Sequence, residues 1–159
     1  AYVNTERVRS HLPVVLTRDW HPGDHVSFAA QGGPWPPHCV AGTPGAAFAA
    51  DLAVPEAAQV VSKATLSHAD AYSGFEGTAL ADSLRQRQAR RLFIGGLATD
   101  YCVQATVLDA LREGFEVVLL RDAVRAVDVT PGDGERALGV MQAAGAVVAS
   151  HSQLGAPAG

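Results

Sequence analysis

The sequence predicts an α/β fold: a three-layer, doubly wound, mostly parallel sheet with helices on both faces. Short apolar runs alternate with stretches of helical periodicity along the chain, which is typical of β-α-β units. The runs at 14–16 and 117–120 are continuously apolar, as expected for strands buried on both faces. The chain has 159 residues, 48% of them hydrophobic and 18% charged, which is enough for one domain with its own core.

The predicted elements follow one another in a regular order. Residues 1–10 resemble the end of a helix, 13–17 a first strand, and 18–52 a long irregular segment rich in Gly and Pro. Further strands are predicted at 59–62, 92–94, 115–120 and 146–149, and helices at 80–88, 101–113 and 134–144. Gly114 and Gly145 end the last two helices, because glycine accepts the left-handed conformation found just after a helix.

A doubly wound sheet normally begins with a strand that lies at its centre. Without that strand its two neighbours would have unpaired backbone in the interior. We therefore expect about 20 further residues, a strand, a loop and the start of a helix, to precede Ala1. Residues 1–154 are predicted to form a single, N-terminally incomplete domain, followed by a loose tail at 155–159.

Composition excludes several classes of partner. The net charge of −4 at pH 7 argues against binding to nucleic acid or to an anionic membrane. No apolar run reaches transmembrane length, and the sequence shows no signal peptide. Two cysteines do not form a disulfide framework and fit a reducing compartment. We expect a cytoplasmic protein with no nucleic-acid or membrane partner.

Cys102 is the candidate nucleophile. It follows a predicted strand and a glycine-bearing turn, and it lies at the start of the predicted helix 101–113. Unpaired N–H groups and the positive end of the helix dipole meet there, and both favour a thiolate over a thiol. The amides of Ala98 and Cys102 are placed to form an oxyanion hole, and Asp100 is expected to cap the helix.

A cluster of histidines and carboxylates follows the first strand. Asp19 and His21 are two residues apart, and His38 or His25 completes a set of three donors. Carboxylate and imidazole together suit Zn²⁺, Fe²⁺ or Mn²⁺. Cys39, next to His38, is either a further ligand or a small buried hydrophobe, and the second interpretation is favoured.

Lys63 is the only lysine among twelve Lys and Arg residues, and it ends a predicted strand. The carboxyl ends of parallel strands share one edge of a sheet, so Asp19, Lys63 and Cys102 are expected to project from the same edge. An ammonium group near Cys102 would stabilise its thiolate; the alternative is an exposed side chain whose stem lies along the surface. The turn-rich segment 70–77 is either an ordinary loop or a pocket wall with aromatic side chains.

Taken together, these motifs resemble the nicotinamidase/pyrazinamidase group of the isochorismatase-like cysteine hydrolases. The matching stretches, in family order, are 17–22, 35–39, Lys63, 71–77 and 96–102. The resemblance implies deamidation of nicotinamide to nicotinate and ammonia through a cysteine thioester, a reaction of NAD salvage.

The same resemblance implies a role for each matching residue. Cys102 would be the nucleophile, Lys63 a member of the catalytic triad, and the Ala98 and Cys102 amides the oxyanion hole. The peptide bond between Leu97 and Ala98 matches one that is cis in this family. One divalent metal, Zn²⁺ first with Fe²⁺ or Mn²⁺ as alternatives, would be held by Asp19, His21 and His38 and would bind the pyridine nitrogen. Substrate contacts would come from Trp35, Tyr72, Leu97 and Ala98.

The triad of this family also includes an Asp at the end of the first strand, and no residue here matches it. The activity of residues 1–159 alone is therefore left open. Two alternatives stand beside the main interpretation: a sister hydrolase acting on another carbamoyl or ureido amide, and a non-catalytic metal-binding protein that lacks the first strand. The sequence does not decide whether His25 is a ligand, whether pyrazinamide is a substrate, or whether the protein is a homo-oligomer.

Overall fold

The computed structural model describes residues 12–153. The chain comprises two compact units, Ala1–Thr78 and Ala79–Gly159. The predicted helix end at 1–10 and the tail at 155–159 lie outside the described residues. The grouping of 1–154 into one domain stays a prediction.

The first unit contains a parallel pair of strands, β1 (Val15–Asp19) and β2 (Gln59–Lys63). Their register runs without interruption from Val15 opposite Gln59 to Asp19 opposite Lys63, so both strands end at the same level. The connection is irregular, as predicted, and contains two short 3-10 turns, Ala29–Gln31 and Pro44–Ala46. The two strands therefore present their last residues side by side.

The second unit contains three parallel strands in the order β3-β4-β5. The strands are β3 (Arg91–Leu97), β4 (Glu116–Arg125) and β5 (Val147–Ala149), and the helices are α1 (Leu80–Gln86), α2 (Gln104–Arg112) and α3 (Asp133–Ala143). The apolar run 117–120 is buried, as are Val107 of α2 and Met141 of α3. Burial of this run and of one side of each helix confirms the predicted α/β class.

Strands β3 and β4 are longer than predicted. A register shift between Ile94 and Gly96 lets β3 continue beside the second half of β4. A side chain at Gly95 would lie 3.1 Å from the Cβ of Ala123, so the glycine permits this close approach. Helix α2 begins later than predicted, at Gln104, because a π-helical turn (Thr99–Val103) precedes it.

One edge of β1 and one edge of β3 have no paired strand within residues 12–153. Within residues 12–153, β1 pairs only with β2, and β3 pairs only with β4. The strand expected before Ala1 stays a prediction. None of the helices in this part of the chain is long and apolar enough to cross a membrane.

Candidate active site

Asp19 and Lys63 form an ion pair at the ends of β1 and β2. They are opposite each other in the register, and Lys63 Nζ lies 2.5 Å from Asp19 Oδ1. Nζ also donates a hydrogen bond of 2.8 Å to the carbonyl of Ala71. The Lys63 side chain is 3% exposed and that of Asp19 23%. The structure thus places Lys63 beside Asp19 at the ends of two parallel strands, as predicted, and the exposed-lysine alternative is wrong.

His21 and His38 lie next to each other beyond β1, with ring centroids 4.9 Å apart. Nδ1 of His21 is 3.2 Å from the carbonyl oxygen of Ala64, and Nδ1 of His38 is 2.9 Å from that of Pro36. A carbonyl oxygen can only accept, so Nδ1 carries the proton in both rings. Within the described residues neither Nε2 makes a hydrogen bond, so both present a lone pair.

In His25 the proton is on Nε2 instead of Nδ1. Its ring is fully buried, and its Nε2 is 3.2 Å from the carbonyl oxygen of Ala69, to which it must donate. Its Nδ1 accepts a hydrogen bond of 2.7 Å from the Ser27 hydroxyl. Both ring nitrogens are therefore occupied. The ring lies against that of His21, with centroids 4.1 Å apart, so His25 supports the neighbouring imidazole and leaves no lone pair for a metal.

The charge state of His21 suits a metal ligand. Burial lowers the pKa of its imidazole, and the nearby His25 and His38 rings act in the same direction. The Ala64 carbonyl and the Asp19 carboxylate act against this shift without reversing it. A lowered pKa favours the neutral form, which is the form that binds metals.

The donor chemistry fits a divalent ion of the zinc type, because one carboxylate and two neutral imidazoles are ligands that such ions accept. Oδ2 of Asp19 makes no hydrogen bond within residues 12–153. The three donors are nevertheless not drawn together: no three His, Cys, Asp or Glu side chains in that range form a group that could hold a metal ion. The hydrogen bonds define the tautomers of His21 and His38. The ion pair with Lys63 occupies Oδ1 of Asp19.

Trp35 and Tyr72, the two aromatic residues expected at the substrate ring, are joined directly. Trp35 Nε1 donates a hydrogen bond of 3.0 Å to the Tyr72 hydroxyl. The Trp35 ring also meets His38 edge to face at 6.4 Å. Contacts therefore run without a break from Lys63 through the 71–72 segment and Trp35 to the histidines. In the first unit, the predicted residues are thus linked by successive contacts, although the three metal donors do not form one group.

The position of Trp35 depends on Gly33. The Trp35 amide donates to the Ser27 carbonyl at 3.0 Å. A Cβ at Gly33 would lie 2.2 Å from both the carbonyl carbon and the carbonyl oxygen of Ser27. Only glycine allows the chain to approach this closely, and the Ser27 that it touches also holds His25.

Gly33→Ala is expected to lower the free energy of unfolding by about 2–3 kcal/mol, because the clash is with backbone that cannot rotate away. Urea unfolding measures the effect. Gly23→Ala is the control, since a Cβ there meets nothing within 4 Å. Equal stability of the two variants would contradict the packing described for Gly33.

In the second unit, Cys102 lies in the π-helical turn between β3 and α2, as the predicted strand–turn–helix requires. The Leu97–Ala98 peptide bond is cis, which confirms the expectation drawn from the resemblance. The Ala98 carbonyl accepts hydrogen bonds from the amides of Tyr101 and Val103, at 3.1 and 3.0 Å. Among the described residues the Ala98 N–H donates no hydrogen bond. A donor is therefore available four residues before the thiol.

The predicted capping role of Asp100 is wrong. Its two carboxylate oxygens accept hydrogen bonds from the amides of Val127 and Asp128, at 3.0 and 2.9 Å. The partners are thus 27 and 28 residues away and belong to the segment after β4. Helix capping is a local rule, and it could not indicate so distant a partner.

Cys39, the other cysteine of the chain, is half-buried. Burial raises the pKa of the Cys39 thiol, and the Asp19 carboxylate adds to the rise while Lys63 opposes it. A thiol with a raised pKa is a poor nucleophile at neutral pH. This agrees with the interpretation of Cys39 as a small packing side chain rather than a nucleophile.

The chain is similar in sequence to proteins of known family. The isochorismatase domain matches residues 5–153. The nicotinamidase of Escherichia coli K12 is 38% identical over 156 residues, covering 85% of this chain and 73% of the relative. The nicotinamidase/pyrazinamidase of Mycobacterium tuberculosis H37Rv is 43% identical over 122 residues, covering 72% of this chain and 64% of the relative.

Two solved structures share the fold closely. The pyrazinamidase of Pyrococcus horikoshii in complex with zinc superposes with a TM-score of 0.89 at 51% identity, covering 94% of this chain and 81% of that one. PnC1 from L. infantum in complex with nicotinate gives a TM-score of 0.84 at 39% identity, covering 94% and 79%. The α/β architecture expected from the sequence is that of these proteins.

Proposed function

Because the chain belongs to the isochorismatase family, we propose that it hydrolyses nicotinamide to nicotinate and ammonia. The observation that carries the proposal is the turn after β3, where the unused N–H of Ala98 lies four residues before the Cys102 thiol. An unused backbone donor in the same turn as a thiol supports a role in acyl transfer, which needs a nucleophile and a donor to the oxyanion. The relatives named nicotinamidase or pyrazinamidase supply the substrate class.

The reaction proceeds through two acyl transfers. The Cys102 thiolate attacks the amide carbon of nicotinamide, a C–S bond forms, and the carbonyl electrons move to oxygen. The amides of Ala98 and Cys102 donate to that oxyanion. When the oxyanion collapses, the C–N bond breaks, and the nitrogen takes up the proton that the Cys102 thiol lost, so that ammonia leaves. Water then attacks the thioester and the C–S bond breaks, which releases nicotinate. One proton of that water returns to the sulfur and the other passes to ammonia, which becomes ammonium.

We assign the remaining predicted residues by their surroundings in the unit to which each belongs. Lys63 is the second member of the triad, and its ammonium is held by Asp19 and the Ala71 carbonyl. Trp35 and Tyr72 bind the pyridine ring, with their mutual hydrogen bond fixing both planes. Leu97, whose surface is 73% exposed, supplies an apolar contact on the cysteine side.

The metal ligands are assigned as Asp19 through Oδ2 and His21 and His38 through Nε2. A divalent ion held there would accept the lone pair of the pyridine nitrogen and orient the ring. Zn²⁺ is the first choice, supported by the zinc complex of the P. horikoshii relative and by the N and O donors present. His25 is not a ligand, because both of its ring nitrogens are occupied.

The reaction fits a cytoplasmic protein of NAD salvage, since it returns the pyridine ring of nicotinamide as nicotinate. Both cysteines are thiols, which agrees with a reducing compartment.

Ammonia release tests the proposed function. The full-length protein, including any residues that precede Ala1, should convert nicotinamide to equal amounts of nicotinate and ammonia. A ureido amide of similar size, measured in parallel, should react far more slowly. A folded, metal-loaded protein that releases ammonia only from the ureido amide would identify it as a sister hydrolase, and release from neither would support a non-catalytic role.

His38→Ala is expected to weaken metal binding by at least about 100-fold, because one of three protein donors is lost. Metal content after dialysis, and titration with Zn²⁺, measure the effect. His68→Ala is the matched control, since His68 is an exposed histidine of the same unit and is not among the assigned ligands. Equal Zn²⁺ affinity of the two variants would contradict the assignment of His38.

A further inference from the structure

Asp100 lies two residues before Cys102, and its carboxylate binds outside the turn that carries both residues. Oδ1 accepts from the Val127 amide at 3.0 Å and Oδ2 from the Asp128 amide at 2.9 Å. One planar group thus holds two consecutive amides of the segment after β4. Hydrogen bonds to a carboxylate are stronger than neutral ones, and a pair of them fixes orientation as well as distance.

Asp128 continues this connection to helix α3. Its φ of +55° is in the left-handed region, which Asp adopts more readily than most residues. Its Oδ1 accepts from the Gly134 amide, near the start of α3, at 2.8 Å. A Cβ at Gly134 would lie 2.6 Å from the Cβ of Ala126, so the helix start is pressed against this segment.

Helix α3 also contacts the Thr99–Val103 turn directly. The turn, the 126–128 segment and α3 therefore each contact the other two. The Asp100 carboxylate joins the turn to the 126–128 segment. The hydrogen bonds of a π-helical turn are a less regular support than those of an α-helix, so a link from outside contributes to its rigidity.

We propose that Asp100 is a positioning residue, whose carboxylate holds the Thr99–Val103 turn so that the Cys102 thiol and the Ala98 and Cys102 amides keep one arrangement. The inference rests on the proposed function, since it takes Cys102 as the nucleophile. Asp100 itself donates nothing to the substrate. Its effect on the reaction passes through the backbone of the turn.

A purely electrostatic role makes the opposite prediction. A carboxylate two residues from a thiolate disfavours its formation by repulsion between like charges. Under that role, Asp100→Asn would make Cys102 more reactive. Under the positioning role, the same substitution makes Cys102 less effective, because Asn keeps one acceptor oxygen and turns an N–H donor toward an amide that is itself a donor.

The test uses Asp100→Asn and Asp100→Ala in the full-length protein, with Asp82→Asn as the control. Asp82 is a largely exposed aspartate of the same unit. Hydrogen exchange reports the amides of Val127 and Asp128. The rate of alkylation by iodoacetamide, measured across pH and assigned to Cys102 by peptide mass spectrometry, reports the thiol, with Cys39 as internal reference. Steady-state kinetics with nicotinamide give kcat and KM separately.

We expect the two amides to exchange at least about tenfold faster in both Asp100 variants. We expect kcat to fall about 10- to 100-fold, as for a small misplacement of reacting groups, while KM changes little. The pH profile of Cys102 alkylation should change and that of Cys39 should not. The Asp82 variant should match the wild type in every measurement.

The proposal is overturned if Asp100→Asn raises kcat or the alkylation rate, if both variants keep the wild-type kcat and alkylation profile, or if only stability changes. If Asp100→Ala does not fold, Asp100→Asn, which keeps one acceptor, carries the test. A wild type that leaves nicotinamide intact refutes the proposed function instead, and exchange and alkylation then still decide whether Asp100 holds the turn.

Discussion

Cys102→Ala is expected to lower the rate of ammonia release from nicotinamide by at least about 10³-fold, because the substitution removes the thiol to which we assign the thioester. The hydrogen bonds of the turn's backbone, including those to the Ala98 carbonyl, do not require the sulfur. The fold should therefore survive, with a change in unfolding free energy of less than about 1 kcal/mol. Coupled detection of ammonia and a urea melt measure the two quantities.

Cys39→Ser is the matched control for this prediction, because it removes the other thiol of the chain. Burial holds that thiol in its neutral form, so its loss should leave the rate within about threefold of the wild type. Mass spectrometry of the protein quenched during turnover should show the nicotinoyl adduct on Cys102. Normal turnover by Cys102→Ala, or an adduct on Cys39, would refute the assignment of the nucleophile.

Lys63→Met is expected to destabilise the protein by about 3 kcal/mol, the lower end of the range for breaking a buried ion pair. The Lys63 side chain is 3% exposed, so the substitution removes a buried ammonium group. The Asp19 carboxylate that is left without its partner is 23% exposed and keeps some access to water. The Ala71 carbonyl also loses a donor. Urea unfolding of the variant against the wild type gives the value.

Asp19→Asn combined with Lys63→Met provides the matched comparison. If the loss arises mainly from an uncompensated carboxylate, the double variant should be more stable than Lys63→Met alone by about 1 kcal/mol or more. Lys63→Arg should not restore the wild-type stability, because the wider guanidinium does not fit where a single ammonium was enclosed. A Lys63→Met protein as stable as the wild type would show that the pair contributes nothing.

The juxtaposition of Asp19 and Lys63 could be predicted from the sequence because it depends on a general rule. Both residues end apolar runs that are recognisable as parallel strands, and parallel strands present their carboxyl ends at one edge. The in-register pairing of β1 and β2 then brings the two together. The turn around Cys102 was predictable for a similar reason, since a glycine-bearing connection between a strand and a helix is a local pattern.

The roles of His25 and Asp100 were not predictable, because their partners are distant in sequence. The carbonyl that occupies Nε2 of His25 belongs to Ala69, 44 residues away, and the amides bound by Asp100 are 27 and 28 residues away. The sequence places His25 among the candidate ligands and Asp100 at a helix start, and both placements are reasonable locally. Only the tertiary structure shows which lone pairs remain unused.

The way in which His21 and His38 are anchored has a consequence for mutational robustness. Both rings are oriented through Nδ1 by main-chain carbonyls, those of Ala64 and Pro36. Every residue type carries such a carbonyl, so no single substitution at either anchor deletes the acceptor that selects the tautomer. His25 is held by two main-chain groups, the Ala69 carbonyl and the Ser27 amide, and also by the Ser27 hydroxyl. That hydroxyl is the one hydrogen-bonding group among these anchors that a substitution can remove, so a change of Ser27 is expected to weaken the packing behind His21 while the protonation of His21 and His38 at Nδ1 is kept.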